Sequence, residues 1–99
     1  MTEDAILETI GARLLQCRLE RSLTQAELAK RAGVGKRTLE RLEAGESTQL
    51  GTFIKILREL ELADDFLEAI PRAQPSPMEL LRTKGRGSGA GDSNGDATR

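Results

Sequence analysis

Five cationic side chains crowd one short stretch of the chain, Lys30, Arg31, Lys36, Arg37 and Arg41, against a single carboxylate, Glu40. Lys and Arg at this density offer N–H donors to anions. Phosphate oxygens and the O6 and N7 atoms of guanine are acceptors that suit them, Arg above all because its fork is planar. Glu40 among them could accept from the amino group of a cytosine. The chain as a whole does not share the bias: its 15 Lys and Arg are matched by 16 Asp and Glu, for a formal net charge of −1. The positive field is therefore a property of this segment and not of the whole protein.

Other chemistries are excluded by composition. The sequence has no His, which removes imidazole acid–base catalysis and His metal ligation. Its one cysteine, Cys17, can form neither an internal disulfide nor a thiolate cage, and its place on an apolar face points to packing. A single unpaired thiol fits a reducing, cytoplasmic setting. Phe53 and Phe66 are the only aromatic residues, so stacking on bases is not the mode of binding. There is no nucleophile–base pair, Gly-rich phosphate loop or metal constellation, so no enzyme, cofactor or metal site is expected. The acidic start MTEDAILETI does not read as a secretory signal, and no apolar run is long enough to span a bilayer.

Helical periodicity supplies the elements that must carry the cations. Ile6, Ile10, Leu14 and Cys17 mark one face of a first helix over 4–21, with Leu15 and Leu19 off that face. The run T24-Q-A-E27 is a capping box that starts a second helix, which buries Leu28, Ala29 and Ala32 and stops near Gly33. A third helix spans 36–44, buries Leu39 and Leu42, and ends at Gly45. A fourth over 52–60 turns Phe53, Ile56, Leu57 and Leu60 inward, and a fifth over 64–70 presents Phe66, Leu67 and Ile70. No window alternates as a strand does, so the fold class is all-α. Residues 4–71 form the domain. Residues 72–82 are a proline-containing linker with a short apolar segment, MELLR, and 83–99 are a Gly-rich tail expected to be disordered.

The spacing around Gly33 is the most specific feature. Ala29 lies where two helices cross, Gly33 where the turn needs positive φ, and Val34 beneath the turn, while Leu28, Leu39 and Leu42 anchor the pair. The run LTQAELAKRAGVGKRTLERLEAG (23–45), followed by TFIKILREL (52–60), resembles the Cro/C1-type (XRE-like) helix-turn-helix family of bacterial and phage transcriptional regulators. The resemblance covers about Ile10 to Pro71. It departs from the family at Gly35, where Ser or Thr commonly caps the third helix, and at Glu61, where Gly commonly follows the fourth.

The resemblance implies a compact five-helix, lambda-repressor-like domain that binds double-stranded DNA as a homodimer. It puts the third helix in the major groove, with Lys36, Arg37, Glu40 and Arg41 toward base edges and Thr38 on a phosphate. Gln25, Ser47 and Thr48 (and Gln49 beside them) take the phosphate backbone. Arg18 and Glu43 form a structural pair between the first and third helices. Phe66, Leu67 and Ile70 offer more apolar surface than one small core needs and are assigned to the dimer interface, with core packing as the alternative. The implied function is a repressor on a palindromic operator. The alternative is an antitoxin-type regulator that also holds a co-encoded toxin, possibly kinase-like, through its C-terminal segment.

Overall fold

A computed structural model of the chain describes residues 1–73 and Met78. The apolar segment of the linker, Met78 apart, and the Gly-rich tail lie outside the described residues. Among the described residues the helices are α1 (Glu3–Glu20), α2 (Gln25–Ala32), α3 (Lys36–Glu43), α4 (Leu50–Glu59) and α5 (Ala63–Glu68), and no strand is present.

Local chemistry sets most of the boundaries. The Thr2 hydroxyl accepts from the Ala5 amide at the head of α1, where Glu3 and Asp4 face the positive end of the helix dipole. At the head of α2 the capping box is complete. Thr24 Oγ1 accepts from the Glu27 amide at 3.0 Å, and Glu27 Oε1 accepts from the Thr24 amide at 2.8 Å. Those bonds to Thr24, the backbone one foremost, hold the Glu27 carboxyl below its usual range. Gly33, at φ 77°, ends α2, and its amide and that of Val34 return to Ala29. Gly45, at φ 96°, follows α3.

Two boundaries differ from the sequence reading by more than a single residue. Helix α4 begins at Leu50 and not at Thr52. Gly51 is tolerated in the first turn, where backbone amides have no intrahelical partner to lose, and the extension sets Leu50 one turn before Phe53 and Ile54. Helix α5 stops at Glu68, short of Ile70. Pro71 disfavours helical backbone at the residue before it, which ends the helix early. At Glu61 the chain takes φ 60°, the left-handed conformation usual for glycine, as Leu62 sends its amide back to the Leu57 carbonyl at 2.8 Å.

The core lies between Leu14 and Leu60. Leu28, Leu39, Ile56 and Leu60 are its most enclosed side chains, joined by Leu14, Leu23, Ala29, Leu42 and Leu57. Helix α1 packs on α3, α2 on both α3 and α4, and α5 on α4. Ile6, read as part of the inner face of α1, is exposed, whereas Ile10 and Cys17 pack at the edge of the core. Gly11 is buried where α1 crosses α3. A Cβ there would stand 2.4 Å from the Leu42 carbonyl oxygen and 2.8 Å from that of Glu43.

Candidate nucleic-acid interface

Helix α3 is divided lengthwise. Leu39, Leu42 and Glu43 are buried against the domain, while Lys36, Arg37 and Arg41 are exposed and Thr38 and Glu40 half-buried. The 3.6-residue period forces this division, because 39, 42 and 43 share one side of the helix and 36, 37, 40 and 41 the other. Two cations therefore occupy the first turn, at the positive end of the helix dipole, with no acid in that turn and no side-chain cap from Gly35. That arrangement is locally unfavourable. Lys36 Nζ finds partial relief 3.8 Å from Glu40 Oε2, and both groups are solvated. An anion outside the domain would relieve the rest.

A second group of donors lies beside α3. Thr38 and Arg41 line a polar groove with Ser47, Thr48, Gln49 and Thr52. The loop after α3 and the start of α4 form its far wall. Gln49 makes no side-chain cap bond and the first turn of α4 carries no acid, so the leading amides of α4 are free for an external acceptor. Hydroxyls, an arginine and free amides along one groove match the track of a phosphate backbone.

Gln25 has a different setting. Its Nε2 donates to Glu43 Oε1 at 2.8 Å, so one amide hydrogen is committed inside the domain and the other is left for an outside acceptor. Glu43 also takes Arg18 Nε on Oε2 at 2.7 Å and Arg18 Nη2 on Oε1 at 3.0 Å. Arg18 Nη1 continues to the Leu23 carbonyl at 2.8 Å. The hydrogen bond to Glu43, with the attraction of its charge, raises the Arg18 pKa further despite burial. One carboxylate thus joins α1, α2 and α3, and it fixes the angle at which α3 stands out from the domain.

The model of the Helix-turn-helix family matches residues 14–67, from the second half of α1 into α5. The chain belongs to the Cro/C1-type helix-turn-helix family. It is a DNA-binding regulatory domain, of a kind that is not typically enzymatic. No curated protein matches the chain. The helix-turn-helix itself is α2, the turn 33–35 and α3. Among the described residues no group of three or more His, Cys, Asp or Glu is placed to hold a metal ion, and no helix is long and apolar enough to cross a membrane.

The structure divides the three residues assigned to a dimer interface. Phe66 turns inward, its ring edge-on to Phe53 at 5.5 Å between centroids and 85° between planes. Leu67 and Ile70 are exposed. Adjacent residues of a helix point about 100° apart, and here the aromatic ring takes the side that faces the core. Sequence reasoning missed Gly11, Leu50 and the place of Thr52 in the groove. An isolated glycine inside a strong helical pattern was the available signal for Gly11. Leu50 was hidden by the choice of Thr52 as the start of α4.

Proposed function

We propose that the domain binds an operator as a homodimer, with α3 of each copy in the major groove, and represses by occluding a promoter. The observation that carries this reading is the division of α3, with leucines locked into the core on one side and Lys36, Arg37, Glu40 and Arg41 presented on the other. Lys36 and Arg37 are the side chains assigned to guanine edges, and Glu40 and Arg41 the neighbours that refine the choice. Thr38, Ser47 and Thr48, with the α4 amides, hold the backbone in register, and the free N–H of Gln25 takes a phosphate at the head of α2. Leu67 and Ile70, exposed beyond the core, support dimerisation.

The test is selection of bound duplexes from a random pool. Two half-sites related by a two-fold axis, about 10–10.5 base pairs or a multiple apart, are expected. A pool that stays random after repeated selection, at salt where nonspecific binding is suppressed, overturns the reading.

A further inference from the structure

An apolar cleft remains beside the DNA-facing groove, and neither the fold nor the proposed contacts use it. Leu7 and Ile10 of α1 form one wall, Leu50 and Phe53 of α4 the other, and Leu42 lies between them; the cleft holds about 160 Å³. Leu50 is 63% exposed although it faces other apolar side chains. Ile6 and Ile54, also exposed, stand one helical turn from Ile10 and Leu50, so each helix carries an apolar ridge along the cleft. Ser47 and Thr48 line both this cleft and the polar groove with Thr38 and Arg41. Whatever fills the cleft therefore ends next to the duplex.

We propose that the occupant is the chain's own segment 78–81, seated when the domain is on DNA, so that the cations after it lie along the phosphate backbone. This rests on the DNA-binding reading above. The segment is mostly apolar and then basic: Met78, Leu80 and Leu81, with Glu79 among them, come first, followed by Arg82, Lys84 and Arg86 with no acid among 82–86. The order matches the order of the surfaces, apolar cleft and then phosphate. Phe53, a wall of the cleft, also carries Phe66 of α5 against its ring, so the helix from which the linker departs packs on the α4 wall of the cleft. Residues 71–77 then span up to about 23 Å when extended. A link this short holds the segment near its site at an effective concentration on the order of millimolar, which favours the same chain over a second copy.

Met78 is helical and 68% exposed, so the free domain leaves its side chain uncovered. Three apolar side chains bury too little to offset the ordering of the segment by themselves. The phosphate contacts of the three cations supply the remainder, which couples seating to DNA.

A double-mutant cycle on the full chain, with the selected duplex, tests this. Leu50→Ser alters the cleft at an exposed position, and Leu80→Ser with Leu81→Ser alters the anchor. Each change alone should weaken binding about tenfold and lower the salt slope by about 2.7 for each copy bound, the share of three phosphate contacts. The two together should do no more than either one. Arg82→Gln, Lys84→Gln and Arg86→Gln combined should reproduce the same loss. Additive losses, or none, overturn the proposal while tight binding by the unaltered chain upholds the DNA-binding reading. In a Cys17→Ala chain treated with diamide as the two-electron oxidant, Leu50→Cys with Leu80→Cys should close a disulfide within one chain, faster when the duplex is present. A disulfide joining two chains overturns the assignment to the same chain.

Discussion

Arg18 meets Glu43 edge-on, with Nε 2.7 Å from Oε2 and Nη2 3.0 Å from Oε1, both side chains almost wholly buried. The guanidinium spends its remaining reach on the Leu23 carbonyl, and the carboxylate takes Gln25 as well. A buried pair is held by geometry and not by charge alone, because each ion has lost its water. Glu43→Ala leaves the Arg18 charge without an acceptor and should cost roughly 3–5 kcal/mol of stability. Arg18→Met combined with Glu43→Leu removes both charges and should cost much less. Chemical denaturation of the two variants checks this. A double variant as unstable as Glu43→Ala would mean that packing around the pair, and not the unpaired charge, sets the loss.

Gly11 should be nearly irreplaceable. The Cβ of Gly11→Ala would meet backbone oxygens of Leu42 and Glu43, which cannot swing aside as a side-chain tip can. Relief requires α1 and α3 to separate, at a cost of about 3 kcal/mol. At Gly33, by contrast, a Cβ meets nothing within 4 Å, and only the φ of 77° opposes it. Gly33→Ala should therefore cost about 1 kcal/mol, close to the left-handed penalty alone. Thermal unfolding of both variants gives the comparison, and equal losses would contradict the steric argument at Gly11.

These two glycines show what could be read from sequence and what could not. The Gly33 turn was legible because its demand is local: a capped helix, a positive φ and a second helix follow one another along the chain. The inner faces of α2, α3 and α4 were legible because their apolar period is strong and their outward positions are polar. Helix α1 was less legible, since Ile6, Leu7, Leu15 and Leu19 blur its stripe, and Ile6 proved exposed. Gly11 depends on how closely Leu42 and Glu43 of α3, distant in sequence, approach, and no local pattern encodes that distance. Of the candidate site, the outward set on α3 follows from periodicity. The hold of Glu43 on Gln25 needed coordinates, because it joins residues 18 apart on different helices.

The capping box gives a pH dependence of known sign. Glu27 accepts from the Thr24 amide as a carboxylate, and its folded pKa lies below its ordinary value of 4.5. A lowered folded pKa contributes stability that is present above the unfolded pKa and lost as pH falls through the folded one. Glu27→Gln keeps an acceptor for the same amide without a titrating charge. The melting temperature of the unaltered chain should exceed that of Glu27→Gln at neutral pH, and the gap should close as pH falls below about 4.5. A gap constant from pH 7 to 3 would show that the carboxylate form contributes nothing there.

Arg37 and Gln25 should fail in different ways, and the difference separates base reading from backbone holding. Arg37 is exposed at the head of α3 and is assigned to a guanine edge. Arg37→Ala should lose about 1–3 kcal/mol per half-site of the selected duplex and relax the preference at one base pair in each half-site. Gln25→Ala should weaken selected and scrambled duplexes by the same factor, because a phosphate carries no sequence. It should also lower stability by about 1–2 kcal/mol, since the Glu43 Oε1 bond goes with it. Competition binding with a panel of single-base variants, alongside denaturant melts, measures both quantities. If Arg37→Ala weakens every duplex alike and leaves the preferred sequence unchanged, its side chain is on the backbone and base reading passes to Lys36 and Arg41.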